Sequence, residues 1–120
     1  MGAKLQLKPG ISLAVLAAPE GLALDLAEGI TPTDVAAQAG AVLAFVTRAS
    51  DVDTIASPAV RAALDDRLAW IAYPKAGQLG TDLNRDSLAE LVIERGGRPV
   101  RQVSIDAVWS ALRFRPGPAN

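Results

Sequence analysis

Three apolar runs divide the chain, and each is bounded by a turn signal. ISLAVLAAP (11–19) follows the turn LKPG (7–10) and is closed by Pro19. AVLAFVT (41–47) follows Gly40, and LAWIAYP (68–74) is closed by Pro74. Nearly every position in these runs is hydrophobic. Short continuous runs between Gly and Pro read as strands buried on both faces.

Helical signals separate them. Thr31-Pro32-Thr33-Asp34 supplies a cap residue, a proline at the first helical position and an acid in the first turn, predicting a short helix that stops at Gly40. Ser50-x-x-Asp53 reads as a capping box, and Ser57-Pro58 starts a helix running to about Asp65. Asn84 caps a later helix, with Leu83 and Leu88 as a hydrophobic staple, Leu88, Leu91 and Val92 as its buried stripe, and Gly96-Gly97 as its stop. Residues 20–30 fit one or two helical turns or a short edge strand.

Buried strands separated by helices require a parallel sheet covered on both faces. The C-terminal part changes pattern. PVRQVSI (99–105) and VWSALRFR (108–115) are strands joined by Asp106-Ala107, a connection short enough only for a hairpin. In the second, Val108, Ser110, Leu112 and Phe114 alternate with Trp109, Ala111, Arg113 and Arg115. The predicted fold is one α/β domain over residues 1–120, with 116–120 as a frayed tail. It is a small Rossmann-like three-layer domain whose mostly parallel sheet ends in an antiparallel C-terminal hairpin. An exposed edge and an exposed Trp109 face on that hairpin predict a homodimer.

Composition narrows the chemistry. A chain of 120 residues, 50% hydrophobic and 21% charged, suits a single globular core. The net charge of -1 argues against general affinity for nucleic acid or anionic membrane, although Arg95, Arg98, Arg101, Arg113 and Arg115 give the end a basic cast. Trp109 and Phe114 beside those arginines read as core plus solvated face, not a base-stacking platform. There is no cysteine and no histidine. That excludes disulfides, thiol nucleophiles, Cys/His zinc sites and an imidazole base, leaving acid–base chemistry to Asp, Glu, Lys or Tyr73. No apolar run is long enough to span a bilayer and MGAKLQLKPG lacks a signal-peptide core, so a cytoplasmic location is expected. Neither GxxxxGK[ST] nor GxGxxG occurs.

In open parallel sheets ligands bind beyond the carboxyl ends of the strands. The residues just past those ends, joined by the charged loop after the third strand, form a candidate rim of Glu20, Arg48, Lys75, Thr81, Asp82, Arg85 and Asp106. The structural alternative is that Asp82 or Asp86 pairs with Arg85 and pins the loop. Arg85 lies in a first helical turn, where a cation is unfavourable unless paired. An Asp82–Arg85 pair would make Asp82→Ala more destabilising than loss of the Asn84 cap.

The motifs W-x-x-Y-P-K (70–75), T-D-L-N-R-D (81–86) and D-x-x-W-S-A-L-R-F (106–114) resemble an uncharacterised bacterial family, a domain of unknown function. The resemblance covers most of the chain and implies a methyltransferase-like Rossmann fold without an assigned activity. Where such an enzyme has a glycine-rich cofactor loop, this chain has Ala17-Ala18-Pro19-Glu20-Gly21. Pro19 removes a backbone donor, and the acid expected after the next strand has no clear counterpart, though Asp25 and Glu28 are nearby. No S-adenosylmethionine and no other cofactor is expected. The leading functional expectation is a non-catalytic binding or interaction module. The rival is a small enzyme or anion-binding protein in which Lys75 and Arg85 hold a carboxylate or phosphate and Asp82 or Asp106 acts as base.

Overall fold

The computed structural model describes residues 7, 10–19, 29–75 and 77–117. Its strands are β1 (Ser12–Leu16), β2 (Thr31–Pro32), β3 (Ala41–Phe45), β4 (Leu68–Pro74), β5 (Gly97–Ser104) and β6 (Trp109–Pro116). Its helices are α1 (Asp51–Thr54), α2 (Ser57–Leu64) and α3 (Arg85–Ile93), with a 3₁₀ turn at Ala36–Gln38. The strands form one sheet in the order β2-β1-β3-β4-β6-β5. The pairs from β2 to β4 are parallel, and β6 is antiparallel to both its neighbours. The mixed α/β fold with an antiparallel C-terminal hairpin is therefore as the sequence implies. β5 runs in the same direction as β4, so both strands end at one rim.

The alternation within each strand separates two apolar clusters. Val42, Ala44, Ala69, Ile71, Tyr73, Leu112 and Phe114 face the helices, where they meet Val52 of α1, Ala59, Ala62 and Ala63 of α2, and Leu88 and Val92 of α3. Leu13, Leu43, Phe45, Trp70, Ala72, Trp109 and Ala111 form the other cluster, together with Leu7. No described helix packs on that second face. The ambiguous segment 20–28, which includes Glu20, Asp25 and Glu28, lies outside the described residues.

One helix start read from the sequence is corrected, and another keeps its place at Ser50 but not its capping box. Thr31 and Thr33 donate their N–H groups to Ile11 O and Leu13 O, both at 3.0 Å, so the segment joins the sheet edge instead of starting a helix. Pro32 falls between those two donors, in the edge position that tolerates a missing N–H. Only the 3₁₀ turn comes after it, held by Arg67 Nη1, which donates to Ala36 O (2.9 Å) and Ala39 O (2.7 Å). Gly40 serves close packing: a Cβ there would lie 2.8 Å from Ile11 Cγ1. The Ser50 side chain makes no capping bond. Asp53 instead reaches across to Arg95, whose Nη2 donates to Asp53 Oδ2 at 2.7 Å.

The Trp109 face is corrected as well. Trp109 is only 6% exposed and meets Phe45 edge-to-face, with ring centroids 5.2 Å apart at 83°. The apolar surface expected to join two copies is inside the chain. The free edge of β5 carries exposed Arg98 and Arg101, Pro99, and a register shift between Pro99 and Arg101, all features that discourage edge pairing.

Asn84 caps α3 as predicted: its Oδ1 accepts from Ser87 N–H, and Ser87 Oγ accepts from Asn84 N–H, both at 2.9 Å. Leu83 and Leu88 are buried in the same cluster. At the other end the chain turns directly into β5, where a Cβ on Gly97 would lie 2.7 Å from Val92 Cγ1. Val92 is fully buried and cannot retreat. Gly97→Ala should therefore destabilise the domain by about 1–3 kcal/mol through overpacking. Urea unfolding decides this, and parental stability in the variant would sink the close-packing account.

Candidate functional site

The period of two along β4, β5 and β6 gathers polar side chains on the helix face near the carboxyl ends of β4 and β5. Tyr73 pairs in register with Ser110, and Ser110 with Ser104, so all three share a face. Gln102 is on that face too, opposite Leu112. The N-terminus of α3 brings Asn84 and Arg85 over the same spot. Between them is a cleft of about 270 Å³ lined by Tyr73, Lys75, Asn84, Arg85, Gln102 and Ser110. This is a little below the usual range for ligand pockets, about 300–1,000 Å³, and suits a small ligand.

The cleft is rich in donors. Ser110 is buried and is the one buried polar residue besides Tyr73 among those described. Gln102 Nε2 donates to the Tyr73 hydroxyl at 3.1 Å. Burial is the largest influence on that phenol and pushes its pKa above the ordinary value, ahead of the opposing bond with Ser110. Tyr73 is thus held protonated at neutral pH, as a hydrogen-bond donor and not a base. Lys75 Nζ donates to Ser104 Oγ at 2.8 Å, and Lys75 N–H to Val108 O at 2.7 Å. Arg85 Nη1 pairs with Asp86 Oδ1 at 3.2 Å in an exposed contact. No carboxylate is among the described residues that line it.

Of the predicted rim, only Lys75 and Arg85 line this cleft. Thr81 and Asp82 act in the adjoining loop. Thr81 Oγ1 donates to Thr47 O and accepts from Leu83 N–H at 3.0 Å, while Asp82 Oδ1 accepts from Ala49 N–H at 2.9 Å. They tie the loop after β4 to the loop after β3. Asp82 is therefore not the partner of Arg85; Asp86 is. Arg48 is exposed, and its N–H donates to Asp51 Oδ2. The Asp106 carboxylate accepts from Val108 and Trp109 N–H, both at 2.8 Å, and shapes the hairpin turn. Glu20 lies outside the described residues.

Sequence reasoning missed Gln102 and Ser110 as site residues, and took Asn84 only as a cap. One signal was present: Ser110 is a polar residue in the otherwise apolar phase Val108, Leu112, Phe114. A second omission is Asp51. Its Oδ2 accepts from Thr47 N–H (3.1 Å), Thr47 Oγ1 (3.2 Å) and Arg48 N–H (3.1 Å), closing the turn that leaves β3.

The backbone bond from Thr47 is the chief reason that the Asp51 carboxyl titrates below its usual range. A carboxyl with a depressed folded pKa contributes stability above its unfolded value, near 3.9, and loses it as pH falls through the folded value. Asp51→Ala should cost about 1–2 kcal/mol at pH 7, as for a lost cap, and the difference from the parent should shrink below about pH 4. Asp82→Ala, which removes a single exposed bond, should cost no more than about 1 kcal/mol. Thermal melts of both variants between pH 3 and pH 7 check the order, and a larger loss in Asp82→Ala would overturn it.

The chain matches no family model and no curated protein sequence, leaving the cleft's own geometry to carry its functional reading.

Proposed function

We propose that this domain is a non-catalytic binding module that holds a small anionic ligand in the cleft between β4, β5, β6 and the start of α3. One observation carries the reading. Two cations, Lys75 and Arg85, converge with the neutral donors of Tyr73, Gln102 and Ser110 on a single cleft, and none of the described residues lining it is a carboxylate. Such a set attracts negative charge and provides no group to take a proton. The capping box of α3 occupies the N–H groups of Asn84 and Ser87, and the ligand's partners in this reading are the side chains that line the cleft. The present partners of the cations are polar groups near the surface. Exposed ion pairs contribute only about 0–1 kcal/mol, so exchanging them for a ligand costs little.

The crevice after β1 is a weaker place for a nucleotide-like cofactor. Its loop holds Ala17, with φ 57, followed by Ala18 and Pro19, instead of a run of glycines that would let backbone approach a ligand. S-adenosylmethionine is expected to give no micromolar binding in a calorimetric titration.

Anion screening by thermal shift, followed by calorimetry, tests the reading. A bound anion should raise the melting temperature. Lys75→Ala or Arg85→Ala should weaken binding about tenfold or more, since a bond to a charged group contributes about 1.5–3 kcal/mol. Both side chains are at the surface, and the unliganded melting temperature should barely move. Unchanged anion affinity in both variants would remove the cleft from consideration. Turnover found in a broad substrate screen and abolished by Lys75→Ala would replace the binding module with an enzyme.

A further inference from the structure

We infer that the ligand class of the cleft is a phosphate monoester, a tetrahedral dianion, and not a carboxylate. This rests on the binding reading above and narrows it. The cleft's charges stand on different elements: Lys75 comes just after β4, whereas Arg85 opens α3. Two separated cations are balanced by a ligand of charge near -2, and a monoester carries about -1.5 to -2 at neutral pH. With Arg85 turned from Asp86 to the ligand, a monocarboxylate would leave one of the two cations without an anion in the cleft.

Donor geometry points the same way. Tyr73 and Ser110 come from the sheet floor, Gln102 from the neighbouring strand and Asn84 from the helix start. The Asn84 Oδ1 atom is occupied by the cap, which leaves its amide N–H groups for the cleft. Tyr73 oxygen already accepts from Gln102, and its bond with Ser110 uses one of the two hydroxyl protons, so the other remains to be donated. Donors arriving from several directions match three terminal oxygens on a tetrahedral centre. A planar carboxylate offers its acceptor sites in one plane. Arg85 adds a planar fork suited to two phosphate oxygens. The cleft volume, about 270 Å³, leaves room for only a small organic group on the ester.

The chain contains no histidine, so no side chain has an ordinary pKa between the carboxylates and the thiol and amine range. A change in affinity between pH 5.5 and pH 7.5 that sulfate does not share then reports the ligand's second ionisation, near pH 6. Calorimetry with the full chain uses phenyl phosphate, dimethyl phosphate, sulfate and acetate. The expected result is phenyl phosphate at least about tenfold tighter than acetate or dimethyl phosphate, with affinity rising about fourfold over that pH range as the dianion forms. Sulfate, a tetrahedral dianion throughout, should bind with a flat profile. Arg85→Lys, which keeps the charge and loses the fork, should weaken phenyl phosphate severalfold at unchanged melting temperature, and Tyr73→Phe should weaken it severalfold with a lowered melting temperature, because Gln102 and Ser110 lose their bonds to the phenol. If acetate binds as tightly as phenyl phosphate, or if the phosphate profile is flat, the monoester assignment is overturned while anion binding stands. If none of the four binds, both readings fall together.

Discussion

The constraint on which this structure depends is the contact of α2 with the sheet centre, made largely of alanines. Ala44 and Ala69 on the helix face of β3 and β4, and Ala59, Ala62 and Ala63 on α2, are buried in one cluster and essentially without exposure. Side chains this short let the helix lie close to the strands, and interiors at crystal-like density leave no slack for larger ones. The other face of the same strands takes the bulk, with Leu43, Phe45 and Trp70. Where α2 lies, small residues of β3 and β4 meet the helix and large ones, Leu43, Phe45 and Trp70, fill the opposite cluster. The loop that leads to α3 over the rim is tied to the loop after β3, where Thr81 Oγ1 donates to Thr47 O and Asp82 Oδ1 accepts from Ala49 N–H.

Elements whose local signal agrees with their long-range surroundings were legible. The buried runs of β3 and β4, the Ser57-Pro58 start of α2 and the Asn84 cap all appear where the pattern puts them. The failures share one physical cause. Thr31-Pro32-Thr33-Asp34 has the residues of a helix start, yet two of its N–H groups find acceptors on β1 and the residue before it, and Arg67 takes the carbonyls of Ala36 and Ala39. Local propensity is a weak preference that tertiary partners override. Asp53 repeats the lesson, drawn away from its local role by Arg95, 42 positions along the chain.

The site was half legible for a related reason. Lys75 and Arg85 stood out because charged residues beyond strand ends are visible in a linear reading. Gln102 and Ser110 become neighbours of Tyr73 only through the register of two antiparallel pairs. Register cannot be read from alternation alone, because a shift of two residues keeps every side chain on its face. The acidic members of the predicted rim failed differently. Asp82 and Asp106 are short side chains, and each is used by nearby backbone N–H groups of loops that would otherwise lack acceptors. A loop must satisfy its own donors before its carboxylates are available to a ligand.

That ordering of needs also explains why the cleft lies beside the hairpin and not where the strand order reverses. The reversal is between β1 and β3, the position at which open parallel sheets usually bind ligands. Here that crevice is walled by Ala17, Pro19, Phe45, Ile55 and Trp109, with Thr47 and Asp51 as its polar members. Thr47 and Asp51 bond to each other, and the Thr47 carbonyl is taken by Thr81. The polar groups at the reversal are thus committed to joining two loops. On the hairpin side the opposite holds: strand pairing satisfies the backbone of β4, β5 and β6, and side chains carry the remaining donors. An antiparallel strand inserted next to β4 moves the surplus of side-chain hydrogen-bonding capacity away from the reversal and onto Tyr73, Lys75, Ser110 and Arg85.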